Sequence, residues 1–197
     1  MQTVHLVRHG EVENPTGVIY GRLPGFHLSE RGRRQAAAAA DRLADGDVGV
    51  VVASPLERAQ ETAAEIASRH GIEVATDERL IESGTTLEGV GRSVMALARS
   101  PKHWWSLRNP LTPSWGESFA SIRARMLEAV WDAVALAEGR EIVLVSHQTP
   151  VLVARTSLAR RRVPPWVGLT PCGTGSVTTL VLEGDAVVTA SYFAPPM

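Results

Sequence analysis

The sequence predicts a three-layer α/β/α fold around a mixed, mainly parallel sheet. Two observations predict it: strand-like apolar runs alternate with helical stretches along most of the chain, and a hairpin pattern follows near its end. The 197 residues are 44% hydrophobic and 21% charged, which suits a chain with a buried core. We therefore expect one domain over residues 1–197, with an irregular insertion rich in tryptophan and proline at about 101–116.

Five short runs have the apolar, β-branched character of strands. The predicted strands cover residues 3–7, 48–53, 142–145, 176–182 and 186–193. The first three are separated by helical stretches, and this spacing favours a parallel arrangement. The last two flank Gly184 and Asp185, a turn pair typical of a hairpin.

Helices are predicted between the strands. The first covers residues 29–44, with Ser29 as its N-cap and an alanine-rich run of high helix propensity. In the second, Ser54 can cap, Pro55 takes the first helical position and Glu57 completes a capping box, and Gly71 ends the helix. Further helices are predicted at residues 90–99, 118–138 and about 149–160.

Charge and cysteine content exclude several classes of function. The net charge of −1 gives no basic excess, so we expect no nucleic-acid partner. Cys172 is the only cysteine, which excludes an intrachain disulfide and a cysteine-based zinc cluster. No stretch has the apolar length of a signal peptide or a membrane helix, so we expect a cytoplasmic protein without a membrane partner. The sequence does not predict an oligomeric state.

Polar motifs follow the first three strands at the points where they end. They contain Arg8 and His9 after the first strand, Ser54 to Arg58 after the second, and Ser146 and His147 after the third. Because ligands bind at the carboxyl ends of parallel strands, we expect these two arginines and two histidines to gather at one sheet edge, near two helix N-termini. Guanidinium groups match the oxygens of phosphate, so the motifs predict a phosphoryl site.

A histidine in this set can act as a nucleophile if it is neutral. Neighbouring arginine charges and helix N-termini disfavour the imidazolium form, and attack on phosphorus would give a phosphohistidine that water can hydrolyse. The leaving oxygen then needs a proton from a nearby carboxylic acid. Glu82, in a loop-like stretch, is one candidate, and Glu11 and Glu57 are others by position. His5 and His9 are four residues apart, but no carboxylates converge on them and we predict no metal site.

Together these motifs resemble the histidine phosphatase superfamily, also called phosphoglycerate-mutase-like. Leu6 to Glu11 looks like the family signature, and further similar segments follow in the family's order. They are residues 21–36, 54–63, 80–89, 116–118 and 146–147. The resemblance covers most of the chain and implies a phosphoglycerate-mutase-like fold.

The resemblance also implies roles for individual residues. His9 would be the phosphorylated nucleophile, Arg8 and Arg58 would hold the phosphoryl group, and His147 would donate to it. Glu82 would be the general acid and then the base that activates water. Contacts to phosphate or substrate are implied for Asn14, Gly21, Arg22 and Gln148. No metal or organic cofactor is implied.

The chain departs from the family pattern at a few positions. Gln148 stands where glycine usually follows the last histidine, and Val12 stands where serine or threonine is common. Asn14 comes one position earlier than the family's asparagine. After Glu82 the segment is shortened, with Thr86 and Leu87 where glycine and tryptophan are common.

The resulting hypothesis is a metal-independent phosphatase that acts on a small phosphorylated metabolite. One alternative is a phosphoglycerate-type mutase, which would return the phosphoryl group to another hydroxyl. Mutases of the superfamily are usually longer, and the compact chain favours the phosphatase. A second alternative is a non-catalytic module that binds a phosphorylated ligand. The presence of both histidines, both arginines and an acid favours an enzyme over that module.

Overall fold

A six-stranded sheet lies at the centre of the computed structural model, which describes residues 1–91, 116–164 and 167–196. The strands are β1 (Gln2–Arg8), β2 (Val48–Ala53), β3 (Val74–Thr76), β4 (Glu141–Ser146), β5 (Val177–Glu183) and β6 (Ala186–Phe193). Their order across the sheet is β3-β2-β4-β1-β5-β6. β3, β2, β4 and β1 are parallel, while β5 and β6 pair antiparallel at the other side. The predicted mixed, mainly parallel sheet is confirmed.

Helices cover both faces of this sheet. They are α1 (Glu30–Leu43), α2 (Glu57–His70), α3 (Phe119–Leu136) and α4 (Gln148–Leu158), with short 3₁₀ helices at Glu78–Leu80 and Val167–Leu169. Successive strand residues point to opposite faces. Leu6 and Leu144 therefore belong to the core under α3 and α4, whereas Val7 and Val145 belong to the core under α1 and α2. This arrangement confirms the three layers.

Local signals mark most helix ends as predicted. The Ser29 hydroxyl accepts a hydrogen bond from the Gly32 N–H at 3.0 Å, which caps α1. Ser118 caps α3 in the same way through the Ser121 N–H. Gly71 ends α2 with a φ of 64°, a left-handed conformation that favours glycine.

The predicted capping box at the start of α2 is wrong. The helix begins at Glu57 after Leu56, and no side chain caps it. The Ser54 hydroxyl bonds to His147 and, at 3.4 Å, to the Leu56 N–H just before the helix, and the Glu57 carboxylate accepts the Gly25 N–H at 3.0 Å. Both side chains of the predicted box therefore have long-range partners, His147 for Ser54 and Gly25 for Glu57.

Two other expectations fall mostly outside the described residues. These are the helix at 90–99, of which only 90 and 91 are described, and the insertion at 101–116, of which only Gly116 is described. None of the helices in the described ranges is long and apolar enough to cross a membrane. The cytoplasmic location stays a prediction.

Candidate active site

The three polar motifs meet at one edge of the sheet. Arg8 ends β1, and the next backbone N–H, of His9, donates to the Ser146 carbonyl at the end of β4 (3.0 Å). The Ser54 N–H, just beyond β2, donates to the Val145 carbonyl (3.0 Å). A Cβ on Gly10 would lie 2.4 Å from the Gly32 carbonyl oxygen, so only glycine lets α1 pass this close to the motif.

Two histidines and an arginine are almost fully buried at this edge. Arg58 and His147 are 0% exposed and His9 is 1% exposed. The ring centroids of His9 and His147 lie 5.0 Å apart at an interplanar angle of 61°. The charges of Arg8 and Arg58 act on both rings. The structure thus brings together the four residues that the motifs predicted to gather.

The described residues offer no hydrogen-bond partner to two nitrogens of the buried Arg58 guanidinium. Its Nη2 donates to the Gly21 carbonyl (2.7 Å), and its Cζ lies 4.9 Å from the centroid of the Tyr20 ring. Its Nε and Nη1, the Arg8 Nε and the His147 Nδ1 have no hydrogen-bond partner among the described residues. Unpaired buried donors are costly, and a bound anion with several oxygens would satisfy them.

His9 is a neutral histidine with the geometry that a nucleophile needs. Burial, together with the Arg58 and Arg8 charges, holds its pKa well below the ordinary histidine range. Its Nδ1 lies 2.6 Å from the Gly10 carbonyl oxygen, which can only accept, so Nδ1 carries the proton. The lone pair of the neutral ring is therefore on Nε2.

His147 is neutral as well and is oriented by Ser54. Burial, then His9 and Arg58, lowers its pKa well below the ordinary range. Its Nε2 lies 2.8 Å from the Ser54 hydroxyl, which also accepts the Leu56 N–H at 3.4 Å. When that hydroxyl donates to Nε2, the ring proton is on Nδ1, the atom without a partner. His147 can then donate to an anion.

We expect Ser54→Ala to lower kcat about tenfold, the equivalent of one hydrogen bond. The variant no longer selects the tautomer with a proton on His147 Nδ1. Steady-state kinetics on a phosphomonoester measures the loss. Ser157→Ala is a matched control, because Ser157 is also a buried serine but its hydroxyl has no partner among the described residues. Equal kcat values for the two variants would show that Ser54 does not orient His147.

Glu82 follows the 3₁₀ helix at Glu78–Leu80 and is half-buried. Its Oε1 accepts the Ser83 N–H (2.7 Å) and the Ser83 hydroxyl (3.2 Å). Burial raises the pKa of Glu82 despite these bonds and despite the charges of Arg8 and Arg58. Glu82 therefore holds its proton to higher pH than an ordinary glutamate, which suits a general acid.

The other two candidate acids have different partners. A hydrogen bond from the Gly25 N–H lowers the pKa of Glu57, which opposes an acid role. Glu11 accepts the Ser29 hydroxyl at 3.1 Å and lies 3.4 Å from the Arg31 guanidinium. Glu82 therefore fits the acid role best.

A cleft of about 420 Å³ opens at the site. Its lining includes Arg8, Glu82, Asn14, Gly21 and Gln148. The Asn14 amide closes its own loop through the Val18 N–H and carbonyl, and Gln148 donates to the Gly168 carbonyl at 3.1 Å. Their contacts to a substrate, like that of Gly21, stay predictions.

Arg22 bonds to two residues of the site, and its predicted contact with substrate stays a prediction. Its guanidinium donates to the Glu82 carbonyl and to the Glu117 carboxylate. Sequence reasoning missed Thr62, whose hydroxyl accepts the Gly10 N–H at 3.1 Å, and Tyr20 beneath Arg58. Thr62 lies in the similar segment 54–63, which was the available signal. Among the described residues, no cluster of three or more His, Cys, Asp or Glu side chains could hold a metal ion.

A sheet edge with two arginines and two neutral histidines can bind a phosphoryl group, and this arrangement is typical of phosphoryl-transfer domains. The sequence model of one protein family, the histidine phosphatase superfamily (branch 1), matches residues 4–194 of the chain. The chain belongs to this superfamily.

The chain is similar to a mycobacterial protein over nearly its whole length and, at lower identity, to named phosphatases. The chain is 54% identical over 194 residues to "Uncharacterized protein Rv0525" of Mycobacterium tuberculosis (strain ATCC 25618 / H37Rv), covering 98% of this chain and 96% of that protein. It is 31% identical to glucosyl-3-phosphoglycerate phosphatase of the same strain, covering 89% and 83%. A solved structure of mycobacterial glucosyl-3-phosphoglycerate phosphatase with VO3 matches with a TM-score of 0.77 and 29% identity, covering 98% of both chains. The superfamily and these relatives support a phosphatase enzyme.

Proposed function

We propose that the protein hydrolyses a small phosphomonoester, without a metal ion, through a phosphohistidine on His9. The observation that carries this proposal is the buried pair of Arg58 and His9. Two nitrogens of the arginine have no hydrogen-bond partner in the part of the chain that the structure describes, and the neutral histidine has its lone pair on Nε2. The guanidiniums of Arg8 and Arg58 supply the positive charge that a transferring phosphoryl group needs.

In the first step, the phosphoryl oxygens accept hydrogen bonds from Arg8, Arg58 and the His147 Nδ1–H. The His9 Nε2 lone pair forms a bond to phosphorus while the bond from phosphorus to the leaving oxygen breaks. Glu82 gives its proton to that oxygen, so the product leaves as a neutral alcohol.

In the second step, the Glu82 carboxylate takes a proton from a water molecule. The water oxygen bonds to phosphorus, the bond from phosphorus to Nε2 breaks, and inorganic phosphate leaves. Glu82 is protonated again and His9 is neutral again, so the cycle is closed.

We expect kcat/KM for an alkyl phosphate to be highest at acidic to neutral pH. Burial raises the pKa of Glu82, so its acid form persists to higher pH than that of an ordinary glutamate. The acid form, and the activity with it, is lost as the pH rises through this raised pKa. Burial and the arginines lower the pKa of His9, so the neutral nucleophile is lost only at lower pH. Glu82→Gln should lower kcat/KM about 100-fold and flatten the alkaline limb. An unchanged alkaline limb would exclude Glu82 as the acid.

The functional test is phosphate release from a panel of phosphomonoesters, with and without a metal chelator. The panel includes p-nitrophenyl phosphate, glycerol phosphate and sugar-acid phosphates, the last because a relative is named a glucosyl-3-phosphoglycerate phosphatase. The proposal expects phosphate release that resists the chelator. Isomer formation from 3-phosphoglycerate without phosphate release would indicate the mutase. Tight phosphate binding without turnover across the panel would indicate the binding module.

A further inference from the structure

The acid-bearing segment has an unusual set of hydrogen bonds. Four consecutive backbone carbonyls, those of residues 79 to 82, each accept a bond from a side chain elsewhere in the fold. Arg125 on α3 donates from Nη1 to the Arg79 carbonyl (2.5 Å) and the Ile81 carbonyl (2.7 Å). The Ser146 hydroxyl donates to the Leu80 carbonyl at 2.6 Å, and the Arg22 Nε donates to the Glu82 carbonyl at 2.7 Å.

One carboxylate orients both arginines. Glu117 accepts two bonds from Arg125, Nε to Oε1 and Nη2 to Oε2, each at 2.9 Å. Its Oε2 also accepts from the Arg22 Nη2 at 2.9 Å. The side chains of Glu117 and Arg125 are each only 15% exposed, so water competes little for these bonds.

The charge of Glu117 fits this arrangement. Although burial opposes it, hydrogen bonds from Arg125 and Ser121 lower the pKa of Glu117, which keeps it ionised. A planar carboxylate fixes the planar Arg125 guanidinium through two parallel bonds. The Nη1 of Arg125, on the other side of the guanidinium, then bonds to the Arg79 and Ile81 carbonyls, which precede Glu82.

We propose that Glu117 is a positioning residue: through Arg125 and Arg22 it holds the backbone of Glu82 so that the acid reaches the leaving oxygen. The inference rests on the proposed function and adds to it a residue that does not touch the substrate. Proton transfer requires hydrogen-bond distance between the acid and the leaving oxygen, so a shift of the segment by an ångström slows that transfer. It leaves the attack by His9 in place.

The test compares two leaving groups in Glu117→Gln, using kcat/KM, which reports formation of the phosphoenzyme. Glycerol phosphate needs a proton on its leaving alkoxide, whereas p-nitrophenolate leaves readily without one. We expect about a 10- to 100-fold loss for glycerol phosphate and less than about threefold for p-nitrophenyl phosphate. Equal losses for both substrates, with turnover still dependent on His9, would overturn the positioning role and leave the proposed function intact.

Two comparisons make the test specific. Arg123→Gln is the matched control, because Arg123 is exposed on the same helix and forms no hydrogen bond or ion pair with the described residues. This variant should leave kcat/KM unchanged for both substrates. In the Glu82→Gln background, Glu117→Gln should cause no further loss for glycerol phosphate, because residues that act as one unit are not additive. A further tenfold loss would contradict the proposal.

A second measurement, amide hydrogen exchange, requires no turnover and compares two different variants. Amide hydrogen exchange of residues 79–83 should be faster in Glu117→Gln and in Arg125→Lys than in the unaltered protein. Lysine keeps the charge of Arg125 but lacks the planar fork that bonds carboxylate and carbonyls together. Exchange equal to that of Arg123→Gln would show that Glu117 and Arg125 do not hold the segment.

Discussion

Replacing His9 with alanine is expected to lower kcat by about 10⁴-fold or more for every phosphomonoester the protein hydrolyses. The variant removes the Nε2 lone pair that forms the covalent intermediate. His147 is the nearest alternative, but its Nε2 is bonded to the Ser54 hydroxyl. Arg8 and Arg58 remain, so the variant should still bind inorganic phosphate.

Steady-state kinetics measures the loss of kcat, and thermal melting with and without inorganic phosphate shows whether the variant still binds phosphate. His5→Gln is the control, because His5 is a buried histidine on β1, the strand that ends just before His9, and its partners are Thr179 and Glu141. It should keep kcat within about twofold, as expected for a residue that makes no contact with the reacting atoms. Turnover that persists in His9→Ala would show that another group attacks phosphorus.

Replacing Arg58 with methionine is expected to lower kcat/KM about 10³-fold and to make the phosphate-free protein more stable. The guanidinium is 0% exposed, and its Nε and Nη1 have no partner among the described residues. Burial lowers the pKa of Arg58, because desolvation disfavours its charge, although Tyr20, Glu82 and Glu57 act in the opposite direction. An apolar side chain of similar length removes that cost, with an expected gain of about 1–3 kcal/mol in the free energy of unfolding.

Thermal melting with and without inorganic phosphate checks this prediction. Phosphate should raise the melting temperature of the unaltered protein and should not raise that of Arg58→Met. Arg69→Met is the control, because Arg69 is on the same helix and forms an exposed ion pair with Asp41 at 2.9 Å. Such pairs contribute little to stability. A lower melting temperature for Arg58→Met in phosphate-free buffer would contradict the account.

The layers of the fold and the arginines and histidines at the sheet edge could both be predicted from the sequence, for the same reason. Buried parallel strands are continuous apolar runs, and their carboxyl ends meet at one edge, so local patterns also place the residues that follow them. Arg8, Arg58 and His147 were placed together in this way. β3 was missed because it has three residues, partly exposed, and shows no strand periodicity.

The supporting contacts could not be predicted because they join distant parts of the chain. Ser54 fitted a local capping rule, but its partner His147 is 93 residues away. Arg125 bonds to the Ile81 carbonyl across 44 residues, and Arg22 to the Glu82 carbonyl across 60. Side-chain bonds to a carbonyl leave no periodic pattern in the sequence, so only the folded chain reveals them.

The most direct test of the central claim is to trap the phosphoenzyme. The protein is mixed with a labelled phosphomonoester in the presence of a metal chelator, quenched within the first turnover, and digested under alkaline conditions that preserve phosphohistidine. We expect one phosphoryl group on the peptide that contains His9, and none in His9→Ala. A phosphoryl group on another residue, or turnover with no labelled intermediate at any quench time, would contradict it.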